Sequence, residues 1–178
     1  MNDFRIALLG LGTVGTAVAE LLATTRDECL ARAERPVVVD RIIVRNLDRP
    51  RSIPEDLPGK KVLSSDPMDA VHDPEIDAIV ELVGGEDHPR IWIKEALESG
   101  KNVITANKAV LAIHGEELFN IALEQKKGLY YEASVAAAVP VLQVIQQGIP
   151  AGPVDRLMGI LNGTCNYILD SLEENSFE

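Results

Sequence analysis

Phe4-Arg5-Ile6-Ala7-Leu8-Leu9-Gly10-Leu11-Gly12-Thr13-Val14-Gly15 is the stretch on which the reading of this chain turns. Its first half is a short apolar run, the signature of a buried strand. Glycines in G-x-G-x-x-G spacing come next, and then a helical pattern that puts Val14, Val18, Leu21 and Leu22 on one face. Strand, glycines and helix in that order make a turn suited to a dinucleotide. Gly10 permits the tight turn, Gly12 lets backbone approach a pyrophosphate, and Gly15 lets the helix pack close to the strand. Thr13 and Val14 complete the corner. The helix start offers free N–H groups and the positive end of a dipole. The plainer alternative is a glycine-rich strand-to-helix turn that binds nothing.

Outward from that corner, strand and helix signals alternate. Val37–Val44, Val62–Leu63, Ala78–Val83 and Asn102–Ile104 read as strands, and Leu129-Tyr130-Tyr131 begins another. Helical patterns cover His88–Ser99, with Ile91, Ala96 and Leu97 apolar, and roughly Gly115–Lys127. Arg26–Arg35 is helical or irregular, and Pro67–Val71 has room for one or two turns. Such alternation predicts an α/β fold, a Rossmann-type doubly wound parallel sheet with ligands at the carboxyl ends of its strands. Beyond Ser134 the character changes. A helical segment runs from Pro140 to Gln147, Val154–Leu161 reads as a strand of another layer, and Cys165–Glu173 as a last helix. A domain boundary is expected near residue 133.

Composition narrows the function. The 178 residues are 46% hydrophobic but only 4% aromatic, so aliphatic side chains must fill the core. A net charge of −11 argues against nucleic acid and anionic membranes as partners. The sequence has neither a bilayer-spanning apolar stretch nor a signal peptide's pattern at its start, so a cytoplasmic setting is expected. Cys29 and Cys165 lack metal-ligand spacing and read as packing residues.

Three further places at the expected ligand edge carry chemistry. An arginine at the end of the second strand accommodates a 2′-phosphate, whereas an acid there reads a free ribose. Arg45 stands at that end, with Arg49 and Arg51 beyond it, while Asp40 lies too deep in the strand; NADP is therefore favoured over NAD. Gly84-Gly85 would let a cofactor lie against backbone, or form an ordinary turn. Lys108 could face the nicotinamide end, or be a solvated loop lysine.

GLGTVG at Gly10–Gly15, ANK at Ala106–Lys108, YEASV at Tyr131–Val135 and GILNGTCNYIL at Gly159–Leu169 together resemble homoserine dehydrogenase across essentially the whole chain. The resemblance implies reduction of L-aspartate 4-semialdehyde to L-homoserine with NADPH or NADH, on the route to threonine, methionine and isoleucine. It implies that Lys108 lies beside nicotinamide and substrate, and that Gly163 and Thr164 lie where substrate meets cofactor. Read alone, Thr164 looks like the N-cap of the last helix. A sodium ion is implied at Glu132, Val135, Ala137 and Val139. Ala136-Ala137-Ala138 departs from a stretch that usually contains glycine, which would crowd that loop. The family's acid-rich segment, with its proton-donor lysine, is expected beyond residue 178. The chain then holds a cofactor domain, 1–133, and the start of an α+β substrate and dimerisation domain, 134–178, and binds cofactor with little turnover. A homodimer is expected of the full-length enzyme. Another Rossmann amino-acid dehydrogenase, or a nucleotide-sensing module without chemistry, would share the first motif alone.

Overall fold

The computed structural model describes residues 2–136, 139–148, 156, 158, 159 and 163–174. The chain forms two compact units, Met1–Tyr130 and Tyr131–Glu178.

The first unit is built on six strands: β1 (Phe4–Leu9), β2 (Val37–Ile43), β3 (Val62–Ser64), β4 (Ala78–Glu81), β5 (Asn102–Thr105) and β6 (Leu129–Tyr130). They lie in the order β3-β2-β1-β4-β5-β6, and every pairing is parallel. The helices are α1 (Thr13–Thr24), α2 (Arg26–Ala33), α3 (Met68–Val71), α4 (Asp87–Glu98) and α5 (Lys108–Gln125). The central strands of the sheet are buried on both faces. Ala7 and Leu9 of β1 join Ile93, Leu97, Val110 and Leu118 from α4 and α5. Ile6 and Leu8 point the other way, to Ala19, Val18 and Leu22 of α1. This alternation with period two, apolar on both sides, is what a doubly wound parallel sheet requires.

The register of β1 on β2 contains one extra residue. Ile6 pairs with Val39 and Ala7 with Arg41, so Asp40 is left over. This lets Val39 and Ile42, three apart in sequence, share one core cluster. The buried Asp40 carboxylate accepts from the Arg5 guanidinium at 3.0 Å and from the Lys60 amide at 3.0 Å. Asp40 is thus committed to holding strands together, in keeping with its depth in the strand.

At the amino-terminal edge of β5, Lys101 is only 4% exposed. Its ammonium donates to the carbonyls of Asp73 (2.5 Å) and Ile76 (2.9 Å), pinning the loop between α3 and β4. Burial pushes the Lys101 pKa down, and the nearby Asp73 and Asp77 only partly restore it. Burial opposes ionisation of Asp73 itself. The Glu75 amide and the Arg41 guanidinium (2.8 Å) outweigh it and hold the carboxyl below its ordinary value.

Several boundaries differ from the sequence expectation. Helix α1 does not bury Val14 and Leu21, which are 54% and 60% exposed. It packs through Gly15 and Ala19, whose small size brings the helix close to the sheet. Ile91 of α4 is likewise exposed. Strand β4 ends at Glu81, two residues short of the expected Val83. Helix α5 begins at Lys108, well before Gly115, because Asn107 caps it: the Asn107 Oδ1 accepts the Val110 amide at 3.3 Å. Cys29 is half-buried, but Cys165 is exposed rather than packed. Among the described residues no helix is long and apolar enough to cross a membrane.

In the second unit, a 3₁₀ turn (Glu132–Ser134) precedes α6 (Val141–Gln143), which runs on as a π-helical turn (Val144–Gly148). Helix α7 covers Gly163–Glu174. The strand expected over Val154–Leu161 falls largely outside the described residues.

Candidate functional site

The corner after β1 is locked from three sides. Gly10 adopts φ 101°, and its amide donates to the Ile43 carbonyl at 2.9 Å. The Leu82 amide donates to the Leu9 carbonyl at 2.9 Å, so β2 and β4 both clamp the turn. A Cβ built on Gly15 would sit 2.2 Å from the Gly10 carbonyl oxygen. The first turn of α1 is therefore pressed directly onto the loop. At Gly12, by contrast, a Cβ would meet nothing within 4 Å, and no side chain caps the helix there. The corner has an interlocked inner face and an open outer face. Onto that outer face point the first amides of α1, which have no intrahelical acceptor. An open, uncapped helix start over a backbone cradle fits an anionic pyrophosphate.

The strand order sets the neighbours of this corner. Arg45 comes after β2, the glycine corner after β1, Gly84-Gly85 after β4, and Lys108 after β5. Four adjacent strands thus present these candidates in a row along the carboxyl edge, over roughly 15 Å at the usual strand spacing. Arg45 is exposed and makes no hydrogen bond or ion pair among the described residues, whereas Arg51 is folded back onto the carbonyls of Arg49 and Asn46. Gly84 and Gly85 both have positive φ, 75° and 83°, with open space where side chains would be. Lys108 is exposed on the first turn of α5 rather than in a loop.

Sequence reading missed what ties this edge together. Glu81, the last residue of β4, is 0% exposed. Its Oε1 accepts the Val83 (2.8 Å) and Gly84 (3.2 Å) amides, and its Oε2 accepts the Thr105 hydroxyl at 2.6 Å. The Thr105 oxygen in turn accepts the Asn107 amide at 3.0 Å, and the Asn107 side-chain amide donates to the Gly85 carbonyl at 2.7 Å. A lone acid in an apolar strand, and an asparagine directly before a helix, were the signals available.

In the second unit, the Glu132 carboxylate accepts the Leu142 amide at 3.2 Å, and the Val135 amide donates to the Glu132 carbonyl at 3.2 Å. Ala136 adopts φ 46°, a conformation more natural to glycine. Val139 lies exposed beyond it, and Ala137 lies outside the described residues. Gly163 begins α7, so Thr164 lies inside the first turn instead of ahead of it as a cap; its side chain is outside the described residues. A cavity of about 400 Å³ lies away from the carboxyl edge, lined by Arg5 of β1, Val38 and Asp40 of β2, and Lys60 from the loop before β3.

A parallel sheet in this order, with an open glycine corner at its centre, defines a dinucleotide-binding domain of the Rossmann type. Comparison with known proteins makes this specific. Residues 10–132 match the family model described as homoserine dehydrogenase, NAD binding domain, and residues 140–178 match the model described as homoserine dehydrogenase. The chain belongs to the homoserine dehydrogenase family. It is 36% identical to the homoserine dehydrogenase of Bacillus subtilis over all of this chain and 41% of that protein. It is 39% identical to that of Corynebacterium glutamicum, over 94% of this chain and 37% of the relative. A crystal structure of a homoserine dehydrogenase from Thiobacillus denitrificans superposes with a TM-score of 0.88 at 38% identity, covering 97% of this chain and 39% of that one. The chain thus spans about two-fifths of the length of the relatives it matches.

Proposed function

We propose that this chain supplies the cofactor-binding part of an enzyme that reduces L-aspartate 4-semialdehyde to L-homoserine with NADPH or NADH. The observation that carries the reading is the row of Arg45, the Gly10–Gly15 corner, Gly84-Gly85 and Lys108 along one sheet edge, in a member of this family. Gly10, Gly12, Thr13, Val14 and Gly15 hold the pyrophosphate through backbone amides. Gly84 and Gly85 form a flat ledge under the dinucleotide. Lys108 stands at the nicotinamide end, where an ammonium stabilises charge developing on a carbonyl oxygen. The bound cofactor supplies the hydride; the residues of this chain bind, orient and set the local field.

NADP is the preferred partner, on the strength of an unengaged Arg45 at the end of β2. Titration of nicotinamide fluorescence tests this. Arg45→Ala is expected to weaken NADPH roughly tenfold, the scale of one charge-assisted phosphate contact, and to leave NADH unchanged. Equal effects on both would remove the 2′-phosphate role, and no binding of either would defeat the dinucleotide reading.

Residues 1–133 serve as the cofactor domain, and 134–178 belong to a substrate and dimerisation domain. Gly163 and Thr164 contribute to the substrate side, and a sodium ion rests against Glu132 and the carbonyls of Val135, Ala137 and Val139. Support for the ion comes from the tight turn that joins Glu132, Val135 and Leu142. Family membership supports a homodimeric cytoplasmic enzyme. Because the relatives are some two and a half times longer, turnover of the semialdehyde is expected to be far slower with these 178 residues than with a protein of the relatives' length. Comparable rates would overturn that division of labour.

A further inference from the structure

Glu81 poses a problem that packing alone does not answer. A fully buried carboxylate is costly, and among the described residues no cation pairs with it. Its three partners are neutral donors, two amides from the ledge after β4 and one hydroxyl from the end of β5. From Thr105 the bonds pass to Asn107 and return to the ledge at Gly85. The result is a closed ring, Glu81–Thr105–Asn107–Gly85–Gly84, that fastens two loops belonging to different strands. Lys108 is the next residue after Asn107.

Resting on the dinucleotide reading, we infer that Glu81, Thr105 and Asn107 are positioning residues for the nicotinamide end of the cofactor. The polarity of the ring makes this specific. Both carboxylate oxygens act as acceptors, so the Thr105 proton is committed to Glu81, and its lone pairs face the Asn107 amide. Asn107 then uses Oδ1 on the helix and Nδ2 on the ledge. One side chain therefore sets both the start of α5, which carries Lys108, and the height of Gly85. The glycine corner after β1 contributes no bond to this ring. The ring should govern the half of the dinucleotide that lies over β4 and β5, and not the half that lies over β1 and β2.

The test uses the full 178-residue chain with NADPH and with 2′-phospho-ADP-ribose, which lacks the nicotinamide. Thr105→Val removes the hydroxyl, whereas Thr105→Ser keeps it. Asn107→Ser keeps a good helix cap but cannot reach Gly85, so it cuts the strap even if the valine variant fails to fold. Thr105→Val and Asn107→Ser are expected to weaken NADPH about tenfold and leave 2′-phospho-ADP-ribose within twofold, with Thr105→Ser restoring wild-type affinity. Equal weakening of both ligands, or unchanged NADPH affinity, overturns the inference while the dinucleotide reading stands. A wild-type chain that binds neither ligand takes both down together.

Discussion

Replacing Gly15 by alanine is expected to destabilise the first unit strongly and to abolish measurable dinucleotide binding. The added methyl would lie 2.2 Å from the Gly10 oxygen and 3.0 Å from its carbon, a backbone that cannot swing aside as a side chain can. Moving α1 outward would pull Ala19, Val18 and Leu22 from the cluster they share with Ile6 and Leu8. Overpacking at a backbone contact sits at the upper end of the usual range, about 3 kcal/mol. For a chain of this length that lowers Tm by roughly 10 °C. Gly12→Ala is the matched control. Its methyl meets nothing within 4 Å, and its backbone is already in an ordinary region, φ −85°. It should unfold like wild type yet weaken NADPH by about a hundredfold, because the methyl occupies the outer face reserved for the pyrophosphate. Chemical denaturation alongside fluorescence titration separates the two. If Gly12→Ala binds as tightly as wild type, the pyrophosphate does not lie on that face.

The second large effect is expected far from the ligand edge. Lys101→Met preserves length and apolar stem but leaves the buried Ile76 carbonyl without its donor, whereas the Asp73 carbonyl keeps the Ile76 amide at 3.1 Å. One unpaired buried acceptor costs about 1–3 kcal/mol, only partly offset by no longer burying a charge. The sign of the pH dependence comes from the depressed pKa of Lys101. Between that lowered value and the ordinary 10.5, the unfolded chain holds more protons at this site than the folded one. Wild-type stability from this site therefore rises with pH across that window, and the methionine variant lacks the rise. The gap between the two proteins should widen from pH 7 toward pH 10 in urea titrations. A gap that narrows would mean the buried ammonium is favoured by the fold.

Much of the sheet could be read from residue order because apolar runs such as Ile6–Leu9 and Ala78–Val80 leave few options once both faces are buried. The ligand edge came from topology, which fixes where the ends of β1, β4 and β5 meet. What escaped were features that depend on partners distant in sequence. Val14 and Leu21 looked like a packing face, but the close approach at Gly15 rotated α1 onto its small residues. The start of α5 was hidden because Gly115 inside it resembled a boundary, while the cap at Asn107 lay in a segment read as loop. Glu81 drew no notice within its strand; its hydroxyl partner is 24 residues away. Hydrogen-bond direction across two loops has no periodic signature.

The surplus residue in β2 decides how this strand tolerates shortening. Residues on either side of Asp40 already alternate correctly if it is skipped: Val39 and Ile42 face one way, Ile43 the other. Excising Asp40 would straighten the ribbon and forfeit its bonds to Arg5 and Lys60, yet leave every flanking side chain on its present side. Excising Ile42 instead would turn Ile43 and the rest of the strand end inside out. A deletion scan along this strand should therefore find survivable gaps at Asp40 and Arg41 alone, since removing either leaves one residue between Val39 and Ile42.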